Sequence, residues 1–425
     1  MEWVVLGIII LLTIIHVPIG FGLGIATILM ILWKGMAPLA IVPVTMFGGV
    51  SSFALLAIPL FILTGGLMET SGISQRLVNL ASSLVGFVRG GLAMVTVVAT
   101  MIQSESSGSS VADAAAIGKV VIPAMEKRGY PRDFSAAVVS NAASAAILIP
   151  PAIGMIIYAW MAECSVAKLF FAGFLPGFLC CAAMGVLSYF YARRYNLPVE
   201  ERFSLGNVGR RSVEAIWALL IPVVIWGGIL LGITTATEAA GLAAAVALII
   251  GLFIYKELTG KDIVRILKDS ASQTGMVALI IASSATLGWY LTSEQIPQKF
   301  AQMIVQTTSN KYLILLFLNI FFFIAGMFLH GAAAIILIVP IVMPLVRQIG
   351  VDPIHFGIIV TLNLGVGQQT PPVATVLFTV STVAKMPFWK VFRAGWPFTL
   401  VLALMTLLVT YVPWITMWPL SLVNW

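Results

Sequence analysis

Long apolar runs alternate with short polar or basic loops along the whole chain. Crossing the hydrocarbon of a bilayer takes roughly 20 apolar residues in a helix, and runs of this kind recur throughout the 425 residues. The sequence lacks the regular series of short alternating segments that is typical of an outer-membrane barrel. Because lipid offers the backbone no hydrogen bonds, the pattern predicts an all-α integral membrane protein.

Two stretches of this apolar sequence carry Gly, Ser and Pro, which interrupt an ordinary membrane helix. They cover residues 104–134 and 326–356, and a Pro-Pro pair follows each of them. Pro150 and Pro371 are 221 residues apart (371 − 150), as are Gly129 and Gly350 (350 − 129). Paired interruptions at corresponding positions of two halves are the best sequence indication of a transporter's binding site.

Each half is predicted to contain scaffold helices, an interfacial arm, a re-entrant hairpin, a broken helix and a final span. The first repeat covers residues 1–192, with scaffold helices at 1–68, an arm at 71–91, hairpin one at 92–126, a broken helix at 134–160 and a span at 166–191. A cytoplasmic connecting loop occupies 193–212. The second repeat covers 213–425, with scaffold helices at 213–255, a span at 275–291, an arm at 294–309, hairpin two at 312–346, a broken helix at 355–380 and a span at 396–414.

The number of crossings makes the second repeat inverted relative to the first. Five crossings per half give about ten spans, and an odd number reverses the direction of the second half. Seventeen of the 23 Lys and Arg residues fall on one side of the predicted membrane, five fall on the other, and Lys119 lies within hairpin one. Because cytoplasmic loops carry the excess of Lys and Arg, both termini are predicted to be periplasmic.

Composition agrees with a membrane protein and excludes several other classes. Only 9% of the residues are charged, against about a quarter in soluble domains. The net charge of +7 does not indicate nucleic-acid binding, because the basic residues lie in short loops between apolar runs. The three cysteines have no metal-ligand spacing, and no nucleophile, zinc or phosphate-loop motif is present. We therefore expect neither an enzyme nor a nucleic-acid partner.

The most polar run at apparent membrane depth is Ser-Glu-Ser-Ser-Gly-Ser-Ser at residues 104–110. Hydroxyl and freed carbonyl oxygens suit a small cation, whereas freed N–H groups at the start of a half-helix attract an anion. Its counterpart is the interruption at 365–372, where two prolines remove backbone donors and glycines permit close approach. The alternatives are an exposed serine-capped loop and an ordinary proline kink.

Four side chains near these interruptions have two possible roles. Asn141 and Ser144 precede the first Pro-Pro pair and could contribute ligand oxygens or hydrogen bonds between helices. Asp113 lies inside hairpin one, where a carboxylate is costly and therefore a candidate for cation attraction or proton relay, or for capping a helix turn. We match His330 to Asp113, which requires a four-residue insertion in the second copy because 330 − 113 is 217. His330 could titrate, contact an anion or hydrogen-bond the backbone.

Several segments resemble the large membrane subunit of the tripartite ATP-independent periplasmic (TRAP) transporters. They are AIPLF at 57–61, GSSVADAAAIG at 108–118, IPAM at 122–125, RGYP at 128–131, IPP at 149–151, DPIHFG at 352–357 and QTPP at 369–372. The resemblance covers essentially the whole chain. It implies an inverted-repeat, elevator-type secondary transporter in a bacterial inner membrane, which imports an organic acid such as a C4-dicarboxylate or sialic acid with sodium. It also implies two partners, a small four-helix membrane subunit and a periplasmic substrate-binding protein.

The resemblance implies that sodium and substrate bind at the hairpin tips and broken helices, with sodium as coupling ion and no other cofactor. The substrate-binding candidates are Ser104, Ser106, Asn141, Ser144, His330, Gln368, Gln369 and Thr370. The sodium-binding candidates are Ser107, Gly108, Ser109, Ser110, Asp113, Gly326, Gly331, Gly365, Gly367 and Thr370. The structural breaks are Pro150, Pro151, Pro371 and Pro372.

The chain departs from the usual family pattern at three places in this region. His330 stands where the family usually has Asp, Glu105 is an added charge, and Gln368 with Gln369 makes the second break more polar. Two other functions stay open at this point. One is a proton-coupled carrier that acts alone, with Asp113 and His330 titrating. The other is a channel or non-transporting scaffold subunit, which would not require costly polar tips at membrane depth.

Overall fold

The computed structural model describes residues 4–15, 17–88, 90–107, 109–195, 197 and 204–423. Every regular element in these ranges is helical, as the hydrophobic pattern predicts. The helices of the first half are α1 (Val4–Ile14), α2 (Ile19–Lys34), α3 (Ile41–Val50), α4 (Ala57–Thr70), α5 (Ile73–Val85), α6 (Gly91–Ser107), α7 (Ser110–Lys127), α8 (Arg132–Ala146), α9 (Ile153–Ala162) and α10 (Val166–Arg194).

The second half continues the same succession of helices. They are α11 (Leu205–Ala215), α12 (Leu220–Leu230), α13 (Ala236–Ile249), α14 (Gly260–Ser293), α15 (Ile296–Thr307), α16 (Lys311–Phe328), α17 (Gly331–Gln348), α18 (Pro353–Gly367), α19 (Thr375–Val383), α20 (Phe388–Tyr411) and α21 (Trp414–Met417). Short 3-10 turns cover Phe53–Leu56 and Pro419–Leu422, and a π turn covers Ile250–Ile254.

Seven helices in the described part of the chain are long and apolar enough to cross a membrane, or eight if the bent pair α11 and α12 forms one span. About ten spans were predicted. The number is smaller because several predicted crossings are divided among shorter apolar helices, such as α2, α3, α9 and α18. The multi-pass, all-helical membrane fold is confirmed. Helix α14 also begins at Gly260 rather than near 275, so the basic stretch before that span is part of the helix.

The two halves share one register across the hairpins and broken helices. Helix α17 begins and ends 221 residues after α7 (331 − 110 and 348 − 127). The same separation relates α18 to α8 (353 − 132 and 367 − 146). Helices α6 and α16 end 221 residues apart (328 − 107). The spacing read from the glycines and prolines therefore extends through every element that forms the repeated unit.

This register shows that matching His330 to Asp113 was wrong. His330 is the N-cap residue of α17, and Ser109 is the N-cap residue of α7, 221 positions earlier (330 − 109). Asp113 lies in the first turn of α7, and its counterpart is the buried Ala334 (334 − 113). No four-residue insertion is present. The error arose because two isolated polar residues were aligned by type, whereas helix starts define the true correspondence.

Helices α2, α3 and α4 pack against α14, while α13 packs against α4 and α12. These helices form the scaffold. Lys34 at the end of α2 pairs with Glu294, which follows α14, and Thr45 on α3 shares a 3.0 Å hydrogen bond with Thr286 on α14. Close packing of small residues and interhelical hydrogen bonds hold helices together where lipid removes the hydrophobic driving force.

The second body consists of the hairpins, the broken helices and the final spans. Helix α7 of hairpin one packs against α19, and α17 of hairpin two packs against α9, so each hairpin contacts the broken helix of the opposite repeat. Helix α20 packs against both α8 and α18. We call this assembly the hairpin body. It meets the scaffold where α6 lies on α4 and α17 lies on α14.

Large apolar side chains cover the outer surface of the scaffold. Phe47 on α3 is 75% exposed, and Val44, Val223 and Phe253 are also exposed. In water such a continuous apolar surface would favour association or aggregation. Surrounded by lipid tails it costs nothing, which agrees with helices that lie in a bilayer.

We predict that Gly49→Ala destabilises the scaffold, whereas Gly48→Ala does not. A Cβ at Gly49 would lie 2.3 Å from Cβ of Ala285 on α14, whereas a Cβ at Gly48 would meet nothing within 4 Å. Overpacking costs about 1–3 kcal/mol, while Ala stabilises a helix interior relative to Gly by up to about 1 kcal/mol. A thermal-unfolding series on the purified protein should show a lower melting temperature for Gly49→Ala alone. Equal melting temperatures would contradict the α3–α14 contact.

Candidate functional site

The tip of hairpin one lies against the break between α8 and α9. Oγ of Ser104, in the last turns of α6, donates a 2.8 Å hydrogen bond to the carbonyl oxygen of Ala146, where α8 ends. Residues 147–152 then separate α8 from α9, and the Pro150–Pro151 peptide is cis. Contact with the middle of a broken helix places the tip at the level of the break rather than at a membrane surface. This is the arrangement of a re-entrant hairpin.

The start of α7 presents the serines of the tip to this region. Oγ of Ser109 caps the helix by accepting from the backbone N–H of Ala112. Oγ of Ser110 is buried and makes no hydrogen bond to a described residue. Asp113 is fully buried in the first helical turn. A carboxylate there is favoured by the partial positive charge of the helix start. Gly108 and the side chains of Ser106 and Ser107 lie outside the described residues.

Hairpin two makes the corresponding contact with the break between α18 and α19. Its glycines allow the approach, because a Cβ at Gly367 would lie 2.5 Å from the backbone carbon of Gly326. On the other side of the tip, a Cβ at Gly331 would lie 3.3 Å from Nε2 of Gln368. His330 occupies the turn between α16 and α17 as an exposed N-cap residue, and its side chain does not cap the helix. Both hairpin tips therefore rest on breaks.

The two breaks also contact each other. A Cβ on Gly365 of α18 would lie 2.8 Å from the carbonyl oxygen of Ser144 on α8. Ser144 and Gly365 are equivalent positions of the two repeats (365 − 144 is 221). Equivalent residues touch only where the symmetry axis passes between them. The pseudo-two-fold axis of the inverted repeat therefore runs through the point where the broken helices meet.

Gln369 bridges the two broken helices by hydrogen bonds. Its Oε1 accepts from Oγ of Ser140 at 2.7 Å, and its Nε2 donates to Oγ of Ser144 at 2.6 Å and to the carbonyl of Ser140 at 2.8 Å. Both ends of this buried amide thus bind α8. Ser140 was not among the predicted site residues, although its four-residue spacing from Ser144 places both hydroxyls on one helix face.

Helix α20 holds both broken helices through polar contacts. Oδ1 of Asn141 on α8 accepts a 2.9 Å hydrogen bond from Oγ1 of Thr399. On α18, Nδ2 of Asn363 donates to Oδ1 of Asn319 at 2.6 Å, and Asn319 is hydrogen-bonded to Thr410. Asn141 therefore faces α20 rather than the hairpin tips. Thr399 was missed because a hydroxyl in an apolar helix gives no sequence signal of its distant partner.

Gln368 differs from its neighbour because it makes no hydrogen bond to any residue the structure describes. The side chain is only 2% exposed, and its Oε1 is buried without a partner. Thr370, the next polar residue, donates to the carbonyl of Val366 at 3.0 Å and so satisfies its own helix. A buried amide without a partner costs about 1–3 kcal/mol. Gln368 is therefore the polar group of the second break that is available to a ligand.

Helix ends of both signs converge on this region. Helices α6, α8, α16 and α18 end there with freed carbonyl oxygens, and α7, α9, α17 and α19 begin there with freed N–H groups. Carbonyl ends favour cations, and N-terminal ends favour anions. The arrangement can therefore hold a small cation and an anionic group next to each other, with side-chain oxygens supplied by the serines of hairpin one.

The polar side chains are distributed unevenly over the two repeats. The tip of hairpin one is rich in serine, whereas the equivalent tip of hairpin two reads Met-Phe-Leu-His at 327–330. The breaks show the opposite bias, because Gln368, Gln369 and Thr370 correspond to Ile147, Leu148 and Ile149 at the same 221-residue spacing. One hairpin and the opposite break thus supply most of the side-chain chemistry.

Comparison with known sequences gives one family for the whole chain. Residues 6–415 match the family described as "Tripartite ATP-independent periplasmic transporter, DctM component". The chain is 39% identical over 404 residues to the C4-dicarboxylate TRAP transporter large permease protein DctM of Pseudomonas aeruginosa, covering 95% of this chain and 94% of that protein. It is 34% identical to the sialic acid TRAP transporter large permease protein SiaM of Vibrio cholerae, covering 94% of each.

Two further similarities concern a fused relative and the fold. The isethionate TRAP transporter permease protein DctMQ of Oleidesulfovibrio alaskensis is 38% identical over 415 residues, which cover 97% of this chain and 65% of that protein. Among solved structures, the YdaH transporter of Alcanivorax borkumensis, described as having an unusual topology, superposes with a TM-score of 0.66 over 88% of each chain. At 16% identity this similarity concerns the fold alone.

We predict that Gln369→Leu destabilises the protein, whereas Gln368→Leu leaves its stability unchanged or higher. Leucine at 369 removes the bridge between the broken helices and leaves the hydroxyls of Ser140 and Ser144 unsatisfied, which costs about 1–3 kcal/mol. Leucine at 368 replaces an amide that has no protein partner. Thermal unfolding of both purified variants measures the difference. Equal effects of the two substitutions would contradict the bridge.

Proposed function

The chain belongs to the DctM component family of the tripartite ATP-independent periplasmic transporters, and on that premise we propose that it imports an organic acid together with sodium. The observation that carries the proposal is the linked set of two hairpin tips and two breaks around one pseudo-two-fold axis. Freed helix ends of both signs meet there, next to serine hydroxyls and the unpartnered amide of Gln368. Such a centre suits a cation and a carboxylate together.

Sodium is the cation we assign to the hairpin tips. The oxygens available there are hard ligands, namely backbone carbonyls at the ends of α6 and α8 and the hydroxyls of Ser109 and Ser110. Asp113 adds a buried negative charge to the same end of hairpin one. Oxygen ligands of this kind suit small hard cations. We assign Ser106, Ser107 and Gly108 to the same site as the resemblance implies.

The substrate we propose is an organic acid that is anionic at neutral pH. Relatives are named for C4-dicarboxylates, sialic acid, isethionate and 2,3-diketo-L-gulonate, all of which are acids. We assign its anionic group to the starts of α17 and α19, where N–H groups are free. Gln368 and His330 would contact the rest of the molecule.

The mechanism we propose is an elevator movement of the hairpin body against the scaffold. Internal contacts support this, because hydrogen bonds join α8, α18 and α20 within the hairpin body and other polar contacts join α2, α3 and α14 within the scaffold. The seam between the two bodies runs along α4–α6 and α14–α17. Two rigid bodies with a separate seam can exchange between positions while the site itself stays assembled.

We propose the inner membrane of a bacterium as location and two further subunits as partners. The family description names a tripartite periplasmic system and calls this component one part of it. The name DctMQ and the greater length of that relative suggest a second membrane subunit fused to the large one. In this chain the exposed apolar surface of the scaffold offers room for a small four-helix subunit, and the periplasmic face would receive a binding protein.

We predict that uptake of the acid into proteoliposomes containing all three components requires an inward sodium gradient. Replacing sodium with choline at equal ionic strength should reduce uptake to the level of empty vesicles, because the tip sites then lack their cation. Radiolabelled substrate measures the effect. Undiminished uptake without sodium would contradict the coupling, and uptake by this chain alone under a pH gradient would favour a proton-coupled carrier.

We predict that Ser110→Ala raises the sodium concentration for half-maximal uptake about fivefold, because it removes one neutral oxygen, worth roughly 1 kcal/mol, from the cation site. Ser188→Ala is the matched control. Its hydroxyl is also buried without a described partner, but it lies on α10 away from the hairpin tips. Sodium titrations of uptake should separate the two variants. Identical titrations for Ser110→Ala and wild type would remove Ser110 from the sodium site.

We predict that Gln368→Leu raises the KM for the acid about tenfold without changing the sodium requirement. Loss of one hydrogen bond to a charged group corresponds to about 1.5–3 kcal/mol, and 1.4 kcal/mol is a factor of ten. Because Gln368 has no protein partner, its loss should leave the melting temperature unchanged. A substrate titration of uptake measures KM. An unchanged KM would show that Gln368 does not contact the substrate.

A further inference from the structure

A second polar cavity lies away from the breaks, between the scaffold and hairpin one. Its volume is about 310 Å³, and its walls come from α4 and α14 on one side and from α6 and α7 on the other. This is space for roughly ten water molecules at about 30 Å³ each. The cavity lies on the side of the membrane from which hairpin one enters, which the charge distribution predicts to be the cytoplasm.

The scaffold wall of this cavity carries unbalanced negative charge. Arg265, Asp269 and Gln273 stand on successive turns of α14 and face the cavity together with Glu69 of α4. Arg265 pairs with Asp262 at 2.9 Å, so its charge is already compensated. Neither Glu69 nor Asp269 forms an ion pair with any residue the structure describes. Charged side chains at this depth are costly unless they line a functional or water-filled path.

Two neutral side chains in the same cavity lack protein partners. Gln103 of α6 is 6% exposed and Ser270 of α14 is 8% exposed, and both line the cavity. Neither makes a hydrogen bond to a described residue. Buried polar groups are nearly always hydrogen-bonded, and leaving one unsatisfied costs about 1–3 kcal/mol. The partners of Gln103 and Ser270 must therefore come from what occupies the cavity, which requires water or a hydrated ion.

We infer that this cavity is a cation vestibule, a water-filled site that binds a hydrated monovalent cation beside hairpin one and disfavours anions. Its ligands would be the carboxylates of Glu69 and Asp269 and the neutral oxygens of Gln103 and Ser270, all hard donors suited to sodium. If the proposed import of an organic acid with sodium holds, the vestibule lies where sodium and acid leave for the cytoplasm. It would then retain the cation and prevent the released anion from returning.

The charges are sufficient for a measurable effect. In water a carboxylate about 7 Å from a univalent ion changes the free energy of that ion by about 0.6 kcal/mol before screening. Salt at 0.15 M, with a Debye length of about 8 Å, reduces this effect by more than half. Two carboxylates attract a cation and repel an anion at once, so the cation-to-anion preference should be roughly fivefold at this salt concentration and larger at low salt.

The direct test measures the charge preference at the vestibule itself. Gln273→Cys, in a background with Cys164→Ser, places one thiol on the exposed wall of the cavity, while Cys180 and Cys181 stay buried. Cationic and anionic methanethiosulfonate reagents of similar size are reacted with this variant in lipid nanodiscs. We expect the rate ratio of cationic to anionic reagent to fall roughly fivefold when Glu69→Gln and Asp269→Asn are added at 0.15 M salt.

Glu214→Gln is the matched control, because this carboxylate lies on α11 outside the cavity and pairs with Arg211 at 2.9 Å. It should leave the ratio unchanged. Sodium chloride should also slow the cationic reagent more than choline chloride does at equal ionic strength, because sodium occupies the site. Failure of both reagents to react, or a ratio unaffected by Glu69→Gln and Asp269→Asn, would overturn the inference. Equal slowing by sodium and choline would overturn cation binding. No substrate enters the experiment, so its outcome does not depend on whether the proposed import is correct.

Discussion

The contact between the two broken helices is the constraint on which the rest of the hairpin body depends. Gly365 allows α18 to approach the carbonyl of Ser144 on α8, and Gln369 bonds the two helices beside that point. Any larger side chain at 365 would force the helices apart. Because the contact joins equivalent residues, it also defines the pseudo-two-fold axis. Each hairpin tip then rests on a break at a fixed place, and the freed helix ends of both repeats meet at one centre.

Symmetry of the backbone at this centre coexists with strong asymmetry of the side chains. The serines of hairpin one and the glutamines of the second break have apolar residues at the equivalent positions of the other repeat. An inverted duplication gives two geometrically similar tips, yet a cation and an organic anion need different ligands. The hard oxygens gathered on hairpin one and the amides gathered on the second break meet this requirement. The cation vestibule extends the same logic, because its carboxylates stand on the scaffold facing hairpin one alone.

Much of this architecture could be predicted from the sequence because it rests on regular spacing. The prolines and glycines revealed the 221-residue repeat, and apolar run lengths revealed the membrane helices. Contacts between distant helices could not be predicted in the same way. The bonds of Thr399 to Asn141 and of Gln369 to Ser140 join residues far apart in the chain, and nothing in local periodicity encodes them. The mistaken match of Asp113 with His330 has the same origin, since residue type was used where only helix starts give the register.

The elevator movement of the hairpin body is tested most directly by distances between spin labels. Val120 on α7, Val264 on α14 and Phe378 on α19 are exposed and can each carry a label. The account predicts that the Val120–Val264 distance, between hairpin body and scaffold, shifts between two populations when sodium and substrate are added. The Val120–Phe378 distance, within the hairpin body, should stay constant. A Val120–Val264 distance that never changes, or a Val120–Phe378 distance that changes with it, would contradict the account.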